Sequence, residues 1–160
     1  MNKKAKNLIN ICKKNKLKLS LAESCTGGMI CSSLVSIPSS SLVFQCGIVS
    51  YSNTSKNKIL KVPNSVLNKY GAVSKITAEL MVRGLYNLSK ADLCMGITGI
   101  AGPSGGTKTK PVGLVYHSFL LKNTKLIIKK KIHLGTRSLI RKKSTDFCLE
   151  QAYNIIKLSV

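Results

Sequence analysis

Apolar and polar positions follow two different rhythms along this chain, one of helices and one of strands. Residues 2–15 set Leu8, Ile9, Ile11 and Cys12 among charges, which predicts a short amphipathic helix. Residues 17–22 (LKLSLA) alternate with the two-residue period of a strand. A turn-rich segment, Glu23-Ser24-Cys25-Thr26-Gly27-Gly28, comes next, and 29–35 read as a helix ended by Pro38 and three serines. Residues 42–51 are strand-like, and 52–70 break into short helices and turns, with Pro63 starting one piece. Ser74 is placed to cap a helix through Lys90, with Ile76, Leu80, Leu85 and Leu88 along its apolar stripe. Residues 93–98 form a compact apolar strand that runs into the Gly-rich loop 99–106. Residues 112–121 and 125–132 read as a hairpin around Lys122-Asn123-Thr124. Thr136 can cap a last helix through Leu158, with Ile140, Phe147, Gln151 and Ile155 on one stripe. This alternation predicts a three-layer α/β/α fold with a mixed sheet, in one domain spanning 1–160.

Charge changes the picture most. The 160 residues carry 26 Lys and Arg against five acids, a formal net charge of +21. Such a balance points toward an anionic partner: nucleic acid, anionic lipid or a phosphorylated small molecule. It also resembles the Lys and Asn bias of AT-rich coding, with 23 Lys, 3 Arg and 11 Asn. Five scattered carboxylates argue against a carboxylate metal cluster or a two-carboxylate glycosidase. With only His117 and His133, a His-rich zinc site is nearly excluded, and no metal or cofactor is expected. Apolar residues make up 44% of the chain, enough for a core, and no run approaches the ~18 residues of a membrane span. No secretory leader is legible, so a cytoplasmic protein is expected. The six cysteines contain no C-x-x-C pair and read as reduced, buried small hydrophobes.

Three loops could carry chemistry. The first follows the first strand. Ser24 sits on a strand-to-helix turn, where a serine can be an exposed nucleophile beside free N–H groups. Thr26, Gly27 and Gly28 would let an anionic ligand approach the helix start. The bland alternative is that Ser24 or Thr26 only caps the helix. The second loop runs through Thr98, Gly99 and Gly102, and could cradle a phosphate or simply cross between strands. The third is Tyr51-Ser52-Asn53-Thr54-Ser55-Lys56. A desolvated Lys can lose its proton near neutrality and act as base for a serine, and a Tyr can relay a proton. Without a usable acid pair or a histidine beside these loops, hydrolysis would need Ser–Lys or Ser–Tyr–Lys chemistry. Cys25 is a rival nucleophile with no histidine partner, and His117, on an alternating strand, reads as structural.

The segments LAESCTGG (21–28), GIVSYSN (47–53) with Lys56, YGAVS (70–74), GITGIAGPSGGT (96–107) and KPVGLVY (110–116) occur in that order. Together they resemble the CinA C-terminal domain, the nicotinamide mononucleotide deamidase family, over nearly the whole chain. The resemblance implies an anticodon-binding-domain-like α/β/α fold and a homo-oligomer. It also implies metal-independent hydrolysis of nicotinamide mononucleotide to nicotinate mononucleotide and ammonia, a step of pyridine nucleotide salvage. It sets the family's serine on Ser24, its Tyr-Ser-Asn-x-x-Lys on Tyr51, Asn53 and Lys56, and its paired serines on Ser40 and Ser41. Either Ser24 or Ser41 is then the nucleophile. Arg137 becomes a phosphate partner. Two positions depart from the family pattern: Thr136 replaces an acid before the last helix, and Thr109 replaces one before Lys110-Pro111-Val112-Gly113. The chain resembles a stand-alone form, without the larger N-terminal domain of full-length CinA proteins.

Two other classes compete. Nine basic residues fall within 122–143 and seven within 3–18, so a nucleic-acid-associated module is one rival. No aromatics interleave with those charges, so any nucleic acid would be held through bulk positive charge alone. The other rival is a family member that binds nucleotides without turnover.

Overall fold

The computed structural model describes residues 2–159. Helix α1 (Lys3–Lys14) begins at Asn2, whose side chain accepts the N–H groups of Lys4 and Ala5. Strand β1 (Leu19–Glu23), helix α2 (Met29–Val35), a 3-10 turn (Ser40–Leu42) and strand β2 (Phe44–Val49) follow. Then come α3 (Asn53–Leu60), α4 (Asn64–Tyr70), α5 (Lys75–Ser89) and β3 (Leu93–Gly99). The hairpin β4 (Leu114–Leu121) and β5 (Lys125–Ile132) leads to α6 (Arg137–Lys157). Ser74 and Thr136 cap α5 and α6 through their side chains, as the sequence predicts.

The five strands form one mixed sheet in the order β2-β1-β3-β4-β5. β1 is parallel to both β2 and β3, and β4 and β5 return antiparallel. One face carries α1, α2 and α6 over Leu21, Met95, Val115 and Phe119. The other carries α3, α4 and α5 over Ala22, Cys94 and Leu120. This is the three-layer α/β/α arrangement expected. Among the described residues no helix is long and apolar enough to cross a membrane.

Three local expectations shift. β1 is buried at every position, Ser20 included, because a central strand covered on both faces does not alternate in exposure. In α5 the buried positions are Thr77, Ala78, Met81, Val82, Gly84, Leu85 and Ser89, so only Leu85 of the expected stripe is fully buried. Close approach selects the small-residue face: a Cβ on Gly84 would fall 1.9 Å from the Leu60 carbonyl oxygen. Ser118 of β4 donates to the Ala78 carbonyl at 2.7 Å. Ile76 and Leu88 are left outside. In α6, Ile140 and Ile155 are buried, while Phe147 and Gln151 lie half-buried beside Cys148, Leu149 and Ala152.

Candidate active site

Parallel strands end on the same edge of a sheet, and that edge is where open α/β sheets hold their ligands. Here Glu23 pairs in register with Val49 of β2 and Ile97 of β3. Ser24, the Ser50–Tyr51 segment and Thr98–Gly99 therefore emerge side by side. Helix α3 starts immediately after Tyr51 with a reciprocal cap. Ser52 Oγ accepts the Ser55 N–H at 3.0 Å, and Ser55 Oγ accepts the Ser52 N–H at 3.1 Å. That start fixes the first turn and turns Lys56 back toward the strand ends.

Lys56 is fully buried. Its Nζ lies 2.9 Å from Ser24 Oγ, 2.8 Å from the Ser50 carbonyl oxygen and 3.3 Å from that of Tyr51. Among the described residues no carboxylate forms an ion pair with it. Burial pushes its pKa down from the usual 10.5 to about 8. An ammonium has three N–H groups and finds three acceptors here. A neutral amine keeps two N–H groups for the two carbonyls and aims its lone pair at Ser24. The geometry thus suits proton transfer from the hydroxyl, which is the requirement for activating a serine with a lysine.

Ser24 and Lys56 open into a cavity of about 220 Å³. Cys25, Tyr51, Ala72, Thr98, Ala101 and Arg137 are among its lining residues. Thr98 Oγ1 donates to the Ala72 carbonyl at 2.7 Å, which ties β3 to the loop before α5. Gly99 is a close approach: a Cβ there would lie 2.8 Å from the Leu114 carbonyl oxygen. At the mouth Arg137 donates to the Gly102 carbonyl at 2.7 Å and to the Tyr51 hydroxyl at 3.1 Å. The Tyr51 ring is 61% exposed and its hydroxyl faces Arg137; Tyr51 meets Lys56 through its backbone carbonyl.

The glycine turn is arranged differently from the expectation. Glu23, fully buried, reaches forward to the start of α2. Its carboxylate accepts the N–H groups of Gly28 at 2.9 Å, Ile30 at 3.3 Å and Cys31 at 2.7 Å. The Gly27 N–H donates to the Ser24 carbonyl. The helix start already holds an internal anion, so the Gly27 and Gly28 amides are not free for a ligand. Gly27 and Gly28 instead supply left-handed turns, with φ of 59° and 93°. The Thr26 carbonyl accepts from Arg141 at 2.7 Å, and the Cys25 carbonyl accepts from the same guanidinium at 3.1 Å.

Other candidates lie elsewhere. Ser40 and Ser41 sit on the 3-10 turn before β2, where the Val43 carbonyl bonds Leu19 at the start of β1. That is the amino-end edge of the sheet, a full strand length from Ser24, so within one protomer neither serine joins the Lys56 group. Asn53 is exposed at the first position of α3 and does not line the cavity. Cys25 does line it, but burial raises its thiol to about 11, which keeps it neutral. His117 is buried on β4 with its ring 4.9 Å from that of Phe147, and burial pushes its pKa down to about 3. Thr136 caps α6 by accepting the Leu139 N–H at 3.4 Å, and Thr109 lies on an exposed turn where its hydroxyl meets that of Thr107.

Sequence reasoning missed the clamp on the turn formed by Glu23 and Arg141. An acid just before a Gly-Gly turn is a legible signal for the first. Nothing local marks Arg141, which reaches back 116 positions.

The family model of the CinA C-terminal domain matches residues 1–156. A CinA-like protein of Prochlorococcus marinus subsp. pastoris is 46% identical over 154 residues, covering 95% of this chain and 35% of that protein. A CinA-like protein of Thermotoga neapolitana is 44% identical over 150 residues, covering 94% of this chain and 36% of that one. The chain thus spans about a third of the length of these curated relatives. Among solved structures, the competence/damage inducible protein CihA from Agrobacterium tumefaciens superposes with a TM-score of 0.90 at 37% identity, over 94% of this chain and 93% of that one. A CinA superfamily protein from Klebsiella pneumoniae 700603 has the same fold, with a TM-score of 0.93 at 23% identity over 98% and 99% of the two chains. The strand-end Ser24–Lys56 site therefore sits in a protein that belongs to the CinA C-terminal domain family.

Proposed function

We propose that the protein is a metal-independent amidohydrolase that converts nicotinamide mononucleotide to nicotinate mononucleotide and ammonia. The observation that carries the reaction class is the buried Lys56 amine, 2.9 Å from Ser24 Oγ and, among the described residues, without a counter-ion. The substrate class rests on the resemblance of the motifs around the site. Lys56 takes the proton of Ser24 as its Oγ attacks the carboxamide carbon. The tetrahedral oxyanion collapses, the C–N bond breaks, and Lys56 returns the proton to the departing ammonia. Water then enters, loses a proton to Lys56 and releases the nicotinate from Ser24. The Gly27, Gly28, Ile30 and Cys31 amides are already engaged, so the oxyanion falls to the Cys25 and Thr26 amides. A cavity of about 220 Å³ is smaller than the ~300–1,000 Å³ of typical ligand pockets. It would receive the ring that bears the amide and leave the phosphate at the mouth, where Arg137 stands.

The test is ammonia release from nicotinamide mononucleotide. Ser24→Ala should lower the rate by about 10³-fold or more, and Ser41→Ala should leave it within about twofold. The reverse pattern would transfer the nucleophile to Ser41. Calorimetric binding with no ammonia from the unmodified protein would replace hydrolysis with nucleotide binding alone.

A further inference from the structure

Two stripes of side chains line a groove between α1 and α6. On α1, Lys3, Asn7, Asn10 and Lys14 are exposed at helical spacing, away from the buried stripe of Ala5, Leu8, Ile9 and Cys12. On α6 the facing stripe is Glu150, Tyr153, Asn154 and Lys157. The two helices run in the same direction. Asn2 meets Asp146 and Lys4 meets Glu150 at one end, and Lys14 stands with Lys157 at the other. Between the helices lie a cavity of about 350 Å³ beside Lys3 and one of about 550 Å³ beside Lys14. Asn7 and Tyr153 border both, so the two adjoin as one groove.

The lining is polar and net positive. Tyr153 is half-buried and sets an aromatic side chain midway along it. The side-chain amides of Asn7, Asn10 and Asn154 form no hydrogen bond among the described residues, whereas Asn15 spends its amide on the Ile11 carbonyl. Lys4 neutralises Glu150 at 2.6 Å, which leaves Lys3 at one end and Lys14 and Lys157 at the other. Coding bias sets how many Lys and Asn a chain has, not where the fold gathers them. Four of the 11 Asn, at positions 7, 10, 15 and 154, line this one groove. In sequence no aromatic stands among the α1 lysines; in the fold, α6 brings Tyr153 to them from the far end of the chain.

We propose that the α1–α6 groove binds single-stranded nucleic acid. Lys3 and Lys14 stand about 16 Å apart along the helix axis, so cations at the two ends hold different phosphates of one strand. The Tyr153 ring takes a base by stacking. The asparagine amides carry both donor and acceptor for an exposed base edge. A duplex keeps its base faces stacked inside and would meet only the lysines. The groove begins about 20 Å along α6 from Arg137, so this site does not depend on what Ser24 does.

Fluorescence anisotropy of a labelled oligothymidylate of about twelve nucleotides, at about 0.2 M salt, tests this. The expected result is binding at least about tenfold tighter than that of a duplex of the same length. Tyr153→Leu keeps the charge and should weaken binding of the single strand by about tenfold. Lys14→Gln should reduce the slope of log affinity against log salt by about 0.7, the share of one phosphate. Lys129→Gln, on the edge strand β5, should leave the affinity within about twofold. No binding at that salt overturns the proposal, as does a duplex held equally tightly, or a Tyr153→Leu variant that binds like the wild type. A loss in Lys129→Gln equal to that in Lys14→Gln overturns it too, because bulk charge then carries the binding. So does thymidine monophosphate that displaces the strand mole for mole, which would make the groove a site for a single nucleotide. Should Tyr153→Leu fail to fold, Asn10→Ala, at an exposed position of α1, takes its place. A severalfold loss is then expected, and an unchanged affinity overturns the proposal.

Discussion

Glu23 and Lys56 are both fully buried ionisable side chains, and both adjoin Ser24: Glu23 precedes it in the chain, and Lys56 Nζ lies 2.9 Å from its Oγ. Their surroundings differ in one respect that decides their roles. The Glu23 carboxylate accepts three backbone N–H groups of α2, so its hydration is replaced by fixed donors and it stabilises the turn. Lys56 has a hydroxyl and two neutral carbonyls. Those partners suit the free amine nearly as well as the ammonium, so burial is not compensated and the proton is held loosely. Solvation replaced by backbone makes a structural charge. Solvation removed, with no counter-ion among the described residues, leaves an amine that gives up its proton near neutrality.

The contrast breaks most visibly at Lys56. Lys56→Met should lower ammonia release by about 10³-fold or more, while raising thermal stability at pH 7, because the cost of burying an ammonium disappears. A variant that is inactive and also less stable would make Lys56 a structural cation, like Glu23 in reverse. Glu23→Ala should do the opposite to stability. It strands three N–H groups near α2 and should cost about 3 kcal/mol in urea unfolding. A loss well under 1 kcal/mol would mean that Arg141 alone holds the turn.

The smallest effect is the pH profile. With Lys56 near 8, the amine is mostly protonated at pH 7 and mostly free at pH 9. Only the free amine can take the Ser24 proton, so the rate should rise about tenfold between those values and level off above. The folded pKa lies below the usual 10.5, so the unfolded chain binds the extra proton between pH 8 and 10.5. Stability should therefore also rise with pH in that window. A rate that is flat from pH 7 to 9 would separate Lys56 from the proton transfer.

Much of the fold is legible because its signals are local. Ser74 and Thr136 announce the helices that they cap, and Lys122-Asn123-Thr124 announces the hairpin. The faces of those helices are less legible. Leu88 and Ile76 look like core by spacing, yet the sheet and α3 are approached through Ala78 and Gly84, where backbone comes near backbone. Burial of α5 follows shape complementarity there, which hydrophobicity along one helix does not record. In the candidate site, Ser24, Tyr51, Lys56, Thr98 and Arg137 stand out as motif residues and do come together around the cavity. Gly28 stood out for its amide, and that amide belongs to Glu23.

By itself the sequence determined the elements, their alternation and the position of three loops at strand ends, because period, caps and turns act over a few residues. It also determined the shortage of acids, from which Ser, Tyr, Lys and backbone amides are expected to carry any hydrolysis. The tertiary structure alone decided that Lys56 meets Ser24 from 32 positions away and that Ser41 faces the other end of the sheet. The physical reason is strand direction: parallel pairing of β1 with β2 and β3 gathers their carboxyl ends on one edge, and that pairing is a long-range contact no local pattern contains.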